Sequence, residues 1–398
     1  MTEWIECTLD KLGEIVGGAT PSTKCEDYYG GSIPWITPKD LSSFKGRYIT
    51  SGERNITEKG LASCSAQMMP KDAVLFTSRA PIGYVAIASQ SVCTNQGFKS
   101  IVVNEKADPL FVYYLLKYNK DAIEAMGSGT TFKEVSGKTM RAVKVRIPLD
   151  VSYQKRIAAV LDSLDTKIEN NERINENLEQ QARAIFQAWF IDYEPFGGVA
   201  PSAWHPSTLG QIAELKTDSW SPAKNPDVMV EHYSIPAFDE QHYPVFEIAA
   251  GIKSNKYILN SNSVMISKLN PDTKRIWRPL CLSAHSVCST EFIVYEAKKQ
   301  EQRDYIYSIL DSTPFLNHLC SHTTGSTNSR QRATPKSTLD FTLCLPPDSI
   351  IEDFCQIVTP MYDLIASNIV ENQSLAKTRD SLLPRLMSGE LDVSSLDI

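Results

Sequence analysis

Two segments of the chain repeat apolar residues with the spacing of a coiled-coil helix. In the first segment, two interleaved series recur every seven residues: Ile157, Leu164, Asn171, Leu178 and Ile185, and Leu161, Ile168, Asn175, Ala182 and Trp189. The second segment repeats both series: Phe354, Met361, Asn368, Leu375 and Leu382, and Val358, Ile365, Asn372, Arg379 and Leu386. This alternation of three and four residues predicts two long helices that pair through a coiled-coil seam.

An asparagine pair interrupts the apolar series in the middle of each helix. Antiparallel pairing about a twofold axis would bring four amides together near the centre: Asn171, Asn175, Asn368 and Asn372. A buried amide layer costs stability but fixes the register of two helices. We therefore predict that these residues determine the register, and the alternative is that they face solvent.

The other segments alternate short β-like runs with turns and one helical stretch each. In the first, strands are predicted at 72–77, 84–88 and 142–148, and a helix at 109–125. In the second, strands are predicted at 264–266, 292–295 and 341–345, and a helix at 301–319. Each segment is therefore predicted to fold as an α+β globular domain.

The same order of patterns occurs twice along the chain. Trp4 and Glu14 return as Trp204 and Glu214, and Ser91-Val92-Cys93 returns as Ser286-Val287-Cys288. The predicted fold class is α+β, with two pseudo-repeated globular domains separated by two long antiparallel coiled-coil helices. The predicted boundaries are 1–149 for the first domain, 150–192 for the first helix, 193–203 for a linker, 204–347 for the second domain, 348–390 for the second helix and 391–398 for a tail.

The composition argues against disulfide-rich, zinc-binding and membrane proteins. Nine cysteines without a CxxC pair indicate a reduced, cytoplasmic protein rather than a disulfide or zinc scaffold. No apolar run approaches the roughly 20 residues of a membrane span, so no membrane association is expected. The net charge of −7 belongs to the helices, because residues 1–150 hold 18 Lys/Arg against 16 Asp/Glu and residues 201–347 hold 14 against 14. Phosphate contact by the globular parts is therefore permitted.

Several short motifs, in this order on a two-copy frame, resemble the specificity subunit of type I restriction-modification enzymes. They are Ile33-Pro34-Trp35, Ser78-Arg79-Ala80-Pro81-Ile82-Gly83, Asn95-Gln96-Gly97-Phe98, the Gly-Ser-Gly-Thr loop at 127–130, and the helix ends at 184–190 and 382–391. The resemblance covers essentially the whole length. The second copy departs from it, since it lacks the Ser-Arg-Ala-Pro-Ile-Gly and Asn-Gln-Gly-Phe motifs.

The resemblance implies two target-recognition domains, each of which reads one half of a bipartite, asymmetric sequence in double-stranded DNA. It implies that the paired helices set the spacer and dock methyltransferase (modification) subunits, which restriction subunits join. S-adenosylmethionine, ATP and Mg are then expected on the partner subunits, and no cofactor and no catalytic residue are expected on this chain.

The sequence does not contain a complete motif for catalysis or metal binding. The Asn/Asp-Pro-Pro-aromatic tetrad of adenine methyltransferases does not occur. Ser136-Gly137-Lys138-Thr139 lacks the earlier glycine of a phosphate-binding loop, since Phe132 occupies that position. His318 and His322 have the spacing of metal ligands on a helix, but no further cluster completes a site, and we predict no metal.

The candidate DNA contacts of the first domain are cations and hydroxyls in glycine-bounded loops, because phosphates attract cations and base edges require forked, amide or hydroxyl groups. They are Arg79, Lys99, Thr130, Thr131, Lys133 and Lys138, with Arg141 nearby. Arg79 is the first candidate, and a structural salt bridge is its alternative role.

The candidate contacts of the second domain lie in two segments, and the one from Thr323 to Lys336 aligns with the Gly-Ser-Gly loop of the first copy. They are Lys268, Lys274, Arg275, Asn328, Arg330, Gln331, Arg332 and Lys336. A solvated loop without DNA contact is the alternative for the longer segment. Trp277 is a candidate for stacking on DNA or for a place in the core.

The first long helix ends in more aromatic residues than its seam requires. Phe186, Trp189 and Phe190 are predicted to dock a modification subunit or the adjacent domain, and local core packing is the alternative. The competing function for the whole chain is a two-domain protein-protein scaffold that does not bind DNA. A stand-alone nuclease or methyltransferase is disfavoured by the missing motifs.

Overall fold

The computed structural model describes residues 3–79, 81–129, 133–324 and 331–396. Its contacts divide the chain into two compact units. Unit 1 consists of Met1–Asn170 and Asn372–Ile398, and unit 2 consists of Asn171–Glu371. The sequence-based boundaries separate both long helices from the globular domains, whereas the contacts group one part of each helix with unit 1 and the other part with unit 2.

Unit 1 combines an α+β globular part with segments of both long helices. Its strands are β1 Trp4–Thr8, β2 Gly13–Gly17, β3 Tyr29–Ile36, β4 Tyr48–Ile49, β5 Arg54–Ile56, β6 Val74–Ser78, β7 Ile82–Ala88, β8 Cys93–Thr94, β9 Lys99–Val103 and β10 Lys144–Pro148. Its shorter helices are α1 Pro38–Ser42, α2 Glu58–Ala62, α3 Pro109–Tyr118, α4 Lys120–Ala125 and α5 Gly137–Ala142. The long helix α6 comprises Val151–Phe190.

The sheets of unit 1 position the turn after β6. The main sheet has the order β2-β9-β6-β7-β4, and a smaller one has the order β5-β3-β8. Strand β6 lies inside the main sheet, and all of its side chains from Val74 to Ser78 are buried. A strand that is covered on both faces reads as a continuous run of buried residues rather than as an alternation. The predicted strands at 72–77 and 84–88 are confirmed, within two residues, by β6 and β7.

Unit 2 repeats this architecture. Its strands are β11 His205–Thr208, β12 Ala213–Lys216, β13 Ser219–Trp220, β14 Met229–Tyr233, β15 Val245–Ile248, β16 Lys256–Ile258, β17 Ser263–Ser267, β18 Ile276–Trp277, β19 Ser286–Ser289, β20 Phe292–Ala297, β21 Thr323–Thr324, β22 Arg332–Ala333 and β23 Thr342–Leu345. Its shorter helices are α7 Leu209–Ile212, α8 Ile235–Gln241, α9 Arg303–Asp311, α10 Thr313–Ser321 and α11 Pro335–Thr338. The second long helix, α12, comprises Asp348–Met387.

The sheets of unit 2 follow the order β12-β20-β17-β18 and β13-β16-β19-β14-β15. Strand β17 is fully buried, as β6 is in unit 1. The pairing of β14 with β19 is parallel, and so is the pairing of β3 with β8 in unit 1. The two units therefore share a topology, which confirms the internal repeat predicted from the sequence.

Each helix predicted inside a globular domain is divided in two. In unit 1, Asn119 separates α3 from α4, and its side-chain amide donates to the carbonyl oxygen of Leu115 at 2.8 Å. In unit 2, Ser312 caps α10 by accepting from the backbone N–H of Phe315 at 3.3 Å, and Pro314 follows in the first turn. Such caps satisfy the free N–H groups of a helix start, and proline favours that position.

The cores include the heptad residues of both helices. In unit 1, Ile157 and Leu161 of α6 are fully buried beside Phe76 and Phe111. In unit 2, Phe354 and Val358 of α12 are fully buried in the main cluster. Burial of one such side chain stabilises the fold by about 1.5–3 kcal/mol, so each long helix is stabilised by a globular core as well as by its seam.

The predicted tail is packed rather than free where it is described. Val393 is 2% exposed and belongs to the main core of unit 1. Its backbone N–H donates to the hydroxyl of Tyr153 at 3.2 Å, and that hydroxyl donates to Asp392 Oδ1 at 2.9 Å. Among the described residues, no helix is both long enough and apolar enough to cross a bilayer.

Candidate nucleic-acid interface

A closed hairpin follows α4 in unit 1. The backbones of Ser128 and Glu134 exchange two hydrogen bonds, of 3.0 and 2.9 Å. The backbone N–H of Val135 donates to the carbonyl oxygen of Ser78 at 2.9 Å, and Arg79 forms an isolated bridge with Glu134. The base of the hairpin is therefore held against the end of β6. At its turn, Gly129 adopts a φ of +131°, which side chains rarely tolerate.

A hairpin occupies the same place in unit 2. Strand β21 pairs with β22, so that Thr324 faces Arg332. The backbone N–H of Ala333 donates to the carbonyl oxygen of Lys268 at 2.9 Å, and Leu269 forms an isolated bridge with Arg332. The alignment of the two loops that the sequence suggested is therefore present in the fold, because each hairpin follows a helix pair and meets the end of the buried central strand.

Cations gather at the base of the first hairpin. Arg79 Nη1 lies 3.6 Å from Glu134 Oε2, and Lys99 Nζ lies 3.7 Å from Glu134 Oε1. The Arg79 side chain is 34% exposed, and the Lys99 side chain is 16% exposed. The side chains of Arg141 and Lys99 both lie near Gly137 at the start of α5.

The remaining candidates of unit 1 lie close along the chain. Lys133 is exposed beside the hairpin base, and Lys138 is exposed in α5, a helix that the sequence reasoning missed. Ser136 caps α5 by accepting from the backbone N–H of Thr139 at 3.0 Å. Thr130 and Thr131 lie outside the described residues. The structure therefore brings Arg79, Lys99 and Lys133 to one hairpin base.

The candidates of unit 2 separate into two groups. Arg332 is 48% exposed and donates from Nε and Nη2 to Glu291 at 3.0 and 3.3 Å, and this hydrogen bond and the charge of Glu291 raise its pKa. Lys336 is exposed in α11, Gln331 and Lys268 are half-buried beside the hairpin, and Asn328 and Arg330 lie outside the described residues. These residues share the hairpin region.

Lys274 and Arg275 form the second group, and both make ion pairs within unit 2. Arg275 donates from Nε and Nη2 to Asp239 at 2.6 and 2.9 Å, and its side chain is 13% exposed. Lys274 Nζ lies 2.5 Å from Asp311 Oδ1 and 2.8 Å from the carbonyl oxygen of the same residue. Each of these cations therefore has a carboxylate partner that orients it within unit 2, and their role as DNA contacts stays a prediction.

The chain is similar to known proteins over nearly its whole length. The family described as "Type I restriction modification DNA specificity domain" matches residues 1–180. The type I restriction enzyme MjaIX specificity subunit of Methanocaldococcus jannaschii is 34% identical, over 99% of this chain and 95% of that protein. The chain belongs to the type I restriction enzyme specificity subunits.

Two further proteins are similar to this chain, one in part of its sequence and one in its fold. The EcoR124I/EcoR124II specificity subunit of Escherichia coli is 29% identical over 40% of this chain and 40% of that protein. The crystal structure of a type I restriction-modification S subunit from M. genitalium superposes with a TM-score of 0.64 at 16% identity, and covers 97% of this chain and 96% of that one. At this identity the superposition shows a shared fold.

The aromatic end of α6 is internal in this specificity subunit. Phe186 and Phe190 are each 6% exposed, and the ring of Phe190 lies 5.0 Å from Phe354 and 4.8 Å from Tyr305. Trp189 is half-buried, with its ring 6.1 Å from Phe354. The structure thus places Phe186 and Phe190 in the core of unit 2, against Tyr305 of the predicted second domain, and docking of a modification subunit by this stretch stays a prediction.

Two other sequence candidates also have structural roles. Trp277 is 3% exposed and packs edge-to-face on Tyr233 and Phe238, which confirms its place in the core. The rings of His318 and His322 lie 4.3 Å apart, and His322 Nδ1 lies 2.9 Å from the carbonyl oxygen of His318. Within the described ranges, no group of three His, Cys, Asp or Glu residues could hold a metal ion.

The candidate register residues of unit 2 make specific contacts. Asn368 Nδ2 donates to Asn175 Oδ1 at 2.8 Å, and Asn171 Nδ2 donates to Glu371 Oε2 at 2.7 Å. Asn171 and Asn368 are buried. Asn372 is half-buried in unit 1. The role of the four residues in setting the register stays a prediction.

The residues that the sequence reasoning missed are acidic. Glu134 and Glu291 hold the cations at the two hairpin bases, but a search for DNA contacts favours cations, amides and hydroxyls. Glu134 could have been found from its position in the sequence, because it lies within the predicted contact segment, directly after Lys133.

Proposed function

We propose that this specificity subunit reads a bipartite, asymmetric sequence in double-stranded DNA, one half with each unit. The observation that carries the proposal is the repeated hairpin, which meets the buried central strand in both units and holds candidate contact residues at its base. A rigid scaffold that presents a loop is the usual arrangement for recognition, because the sheet fixes the loop's position.

The chemistry at the two hairpins suits a duplex. Arg79 and Lys99 supply positive charge at the first hairpin although the chain as a whole has a net charge of −7. Cations of this kind neutralise phosphates, and forked side chains read base edges in the major groove. Because the candidate residues differ between the two hairpins, the two half-sites are expected to differ in sequence.

The chain itself is proposed to be non-catalytic. In this proposal it positions modification subunits, which bind S-adenosylmethionine and methylate adenine, and restriction subunits, which use ATP and Mg, in the cytoplasm. Its relatives are named specificity subunits of restriction enzymes, which supports a place in such a complex. The length of the paired helices is expected to set the spacer between the half-sites.

The test is a selection from random duplexes. The chain is co-expressed with the modification subunit of its own system, and the purified complex selects from a library of random double-stranded DNA. Enrichment of a two-part motif with a constant gap is the expected result. Absence of enrichment by an intact complex, together with an affinity that does not depend on salt, would instead support a protein-protein scaffold.

A further inference from the structure

Glu134 and Arg332 occupy equivalent positions in the two units. Glu134 faces Ser128 across its hairpin and Arg79 at the end of β6, and Arg332 faces Thr324 and Leu269 in the same two ways. The following residue donates its backbone N–H to the central strand in both units, Val135 to Ser78 and Ala333 to Lys268. The same backbone frame therefore presents a carboxylate in unit 1 and a guanidinium in unit 2.

The charges around this position are also exchanged. In unit 1, cations from the sheet, Arg79 and Lys99, flank the carboxylate of Glu134. In unit 2, Leu269 stands in the place of Arg79, and the carboxylate of Glu291 holds the guanidinium of Arg332. In both units, the charge is balanced by nearby groups of opposite charge. The exposed hydrogen-bonding group is a carboxylate in unit 1 and a guanidinium in unit 2.

The carboxylate of Glu134 retains its capacity to accept hydrogen bonds. Its backbone is fixed by two hydrogen bonds to Ser128, but its neighbouring cations lie 3.6 and 3.7 Å away, beyond hydrogen-bond distance. Its side chain is 40% exposed, and none of the described residues donates a hydrogen bond to it. An ionised carboxylate only accepts, so a partner must offer N–H or O–H groups.

Arg332 retains a free edge of its guanidinium. Glu291 accepts from Nε and Nη2, at 3.0 and 3.3 Å, and its carboxylate fixes the plane of the group. Arginine has five N–H donors, so the edge formed by Nη1 and the second N–H of Nη2 stays available within the contacts of the described residues. Such a fork matches the O6 and N7 acceptors of guanine.

We infer that the two hairpin bases read opposite hydrogen-bonding classes in the major groove: Glu134 accepts from the amino group of cytosine, and Arg332 donates to guanine. Acidic side chains accept from cytosine N4, whereas arginine pairs with guanine. A carboxylate near DNA is repelled by phosphates, and Arg79 and Lys99 offset that repulsion at Glu134. This inference rests on the proposed function and specifies how the asymmetry of the target arises.

A purely structural role for the acid is the weaker explanation. An ion pair between side chains that are 34% and 40% exposed is worth at most about 1 kcal/mol to stability. The hairpin base is held by backbone hydrogen bonds, which a change of side chain leaves in place. Glu134→Gln is therefore expected to fold, with a melting temperature close to that of the unaltered chain.

The experiment compares complexes that differ only in this subunit. The unaltered chain, Glu134→Gln, Arg332→Lys and the control Glu53→Gln each select from the random duplex library, together with the modification subunit. Glu53 suits a control because its exposed side chain pairs with Lys39 at 2.7 Å in the same unit. Melting temperatures and the salt dependence of affinity are measured for each complex, and Glu134→Asp replaces the glutamine variant if that variant fails to assemble.

Glu134→Gln should lose its preference for cytosine at one position of one half-site by about tenfold, since a good contact discriminates by roughly that factor. Arg332→Lys should weaken the preference for guanine at one position of the other half-site, because lysine lacks the planar fork, and should keep its salt dependence, because the charge remains. Unchanged motifs in both variants, or a uniform rise in affinity with Glu134→Gln, would overturn the inference. If the unaltered complex selects no motif, the proposed function fails as well.

Discussion

Asn368 donates a hydrogen bond from its side-chain amide to the side-chain oxygen of Asn175 at 2.8 Å, and so links α12 to α6 within unit 2. Asn368 is 7% exposed, whereas Asn175 is half-buried. Apolar heptad residues such as Ile365 and Leu178 lie near this pair in the sequence of the two helices. The hydrogen bond joins the two helices in the observed register, and the role of the pair in setting that register stays a prediction.

Replacing one member of the pair should cost more than replacing both. Asn368→Leu leaves the amide of Asn175 without its partner, which typically costs about 1–3 kcal/mol. The double variant Asn175→Leu/Asn368→Leu removes both amides and should regain at least that amount. Thermal unfolding midpoints of the two single variants and the double variant test this, and a double variant less stable than either single would contradict it.

Arg47 should be essential to the stability of unit 1. Its side chain is 6% exposed, and it donates to Glu169 at 3.1 and 3.0 Å and also binds Asp162. Arg47→Ala leaves two partly buried carboxylates without a cation, so a loss of about 3 kcal/mol is expected. The control Lys39→Ala breaks a pair whose side chains are 78% and 63% exposed, and should cost less than about 1 kcal/mol. Equal midpoints for the two variants would show that the buried network is not stabilising.

His232 should make the stability of unit 2 sensitive to mild acid. Burial lowers its pKa, although the hydrogen bond between Nδ1 and Glu247, at 2.7 Å, opposes that effect. Nε2 is buried without a partner among the described residues. The pKa in the folded state lies below the value of about 6.5 for an unfolded histidine. The unfolded chain therefore binds more protons, and stability falls as the pH drops below that value.

His232→Gln should accordingly reduce the difference between the unfolding midpoints at pH 7.5 and pH 5.5, two measurement conditions on either side of about 6.5. The exposed His205 offers a matched control, and His205→Gln should keep the difference seen in the unaltered chain. The same pH dependence in both variants would assign the effect to other groups.

Phe190 should act through the core of unit 2. Phe190→Ala removes a ring that is 6% exposed and packed on Tyr305 and Phe354, and such truncations cost about 3–5 kcal/mol. Val199→Ala alters a side chain that is 68% exposed and should cost less than about 0.5 kcal/mol. If Phe190→Ala leaves the midpoint unchanged but abolishes binding of the modification subunit, the docking role predicted from the sequence would be supported and the core role contradicted.

Arg79 should serve one half-site only. Arg79→Ala is expected to weaken binding to the half-site of unit 1 by about tenfold and to leave the other half-site unaffected. Lys59→Ala is a suitable control for the lost charge, because its side chain is 77% exposed and lies 4.0 Å from Asp27. Competition with duplexes altered in one half-site measures both effects. An equal loss on unrelated sequences would reassign Arg79 to a phosphate contact.

Elements with a local and periodic signal are predictable from the sequence alone. A repeat of seven residues predicts helices at 150–192 and 348–390, and α6 and α12 occupy 151–190 and 348–387. Strands β6 and β17 were recognisable because every side chain in each is buried, so that an uninterrupted run of β-forming residues is required. The repeat of the same order of patterns is also recognisable in the sequence, because both copies fold around similar cores.

The candidate site was predictable as a pair of loops but not as a set of contacts. Segments rich in glycine, serine and threonine follow α4 and α10. Such a composition can be read directly from the sequence, and it predicts loops at these places. Whether a cation in such a region faces solvent depends on which acid lies nearby in space. Arg332 stays half-exposed beside Glu291, whereas Arg275 is almost covered by Asp239, from which 36 residues separate it.

The partners of charged and aromatic side chains depend on the tertiary fold. Arg47 meets Glu169 across 122 residues of chain, and Arg379 meets Asp165 across 214. Phe190 is a core residue because Phe354 and Tyr305 surround it, although its pattern alone would equally suit an exposed docking surface. Periodicity indicates which face of a helix or strand is apolar. The contribution of a side chain to the stability of the fold, however, depends on neighbours that come from distant parts of the sequence.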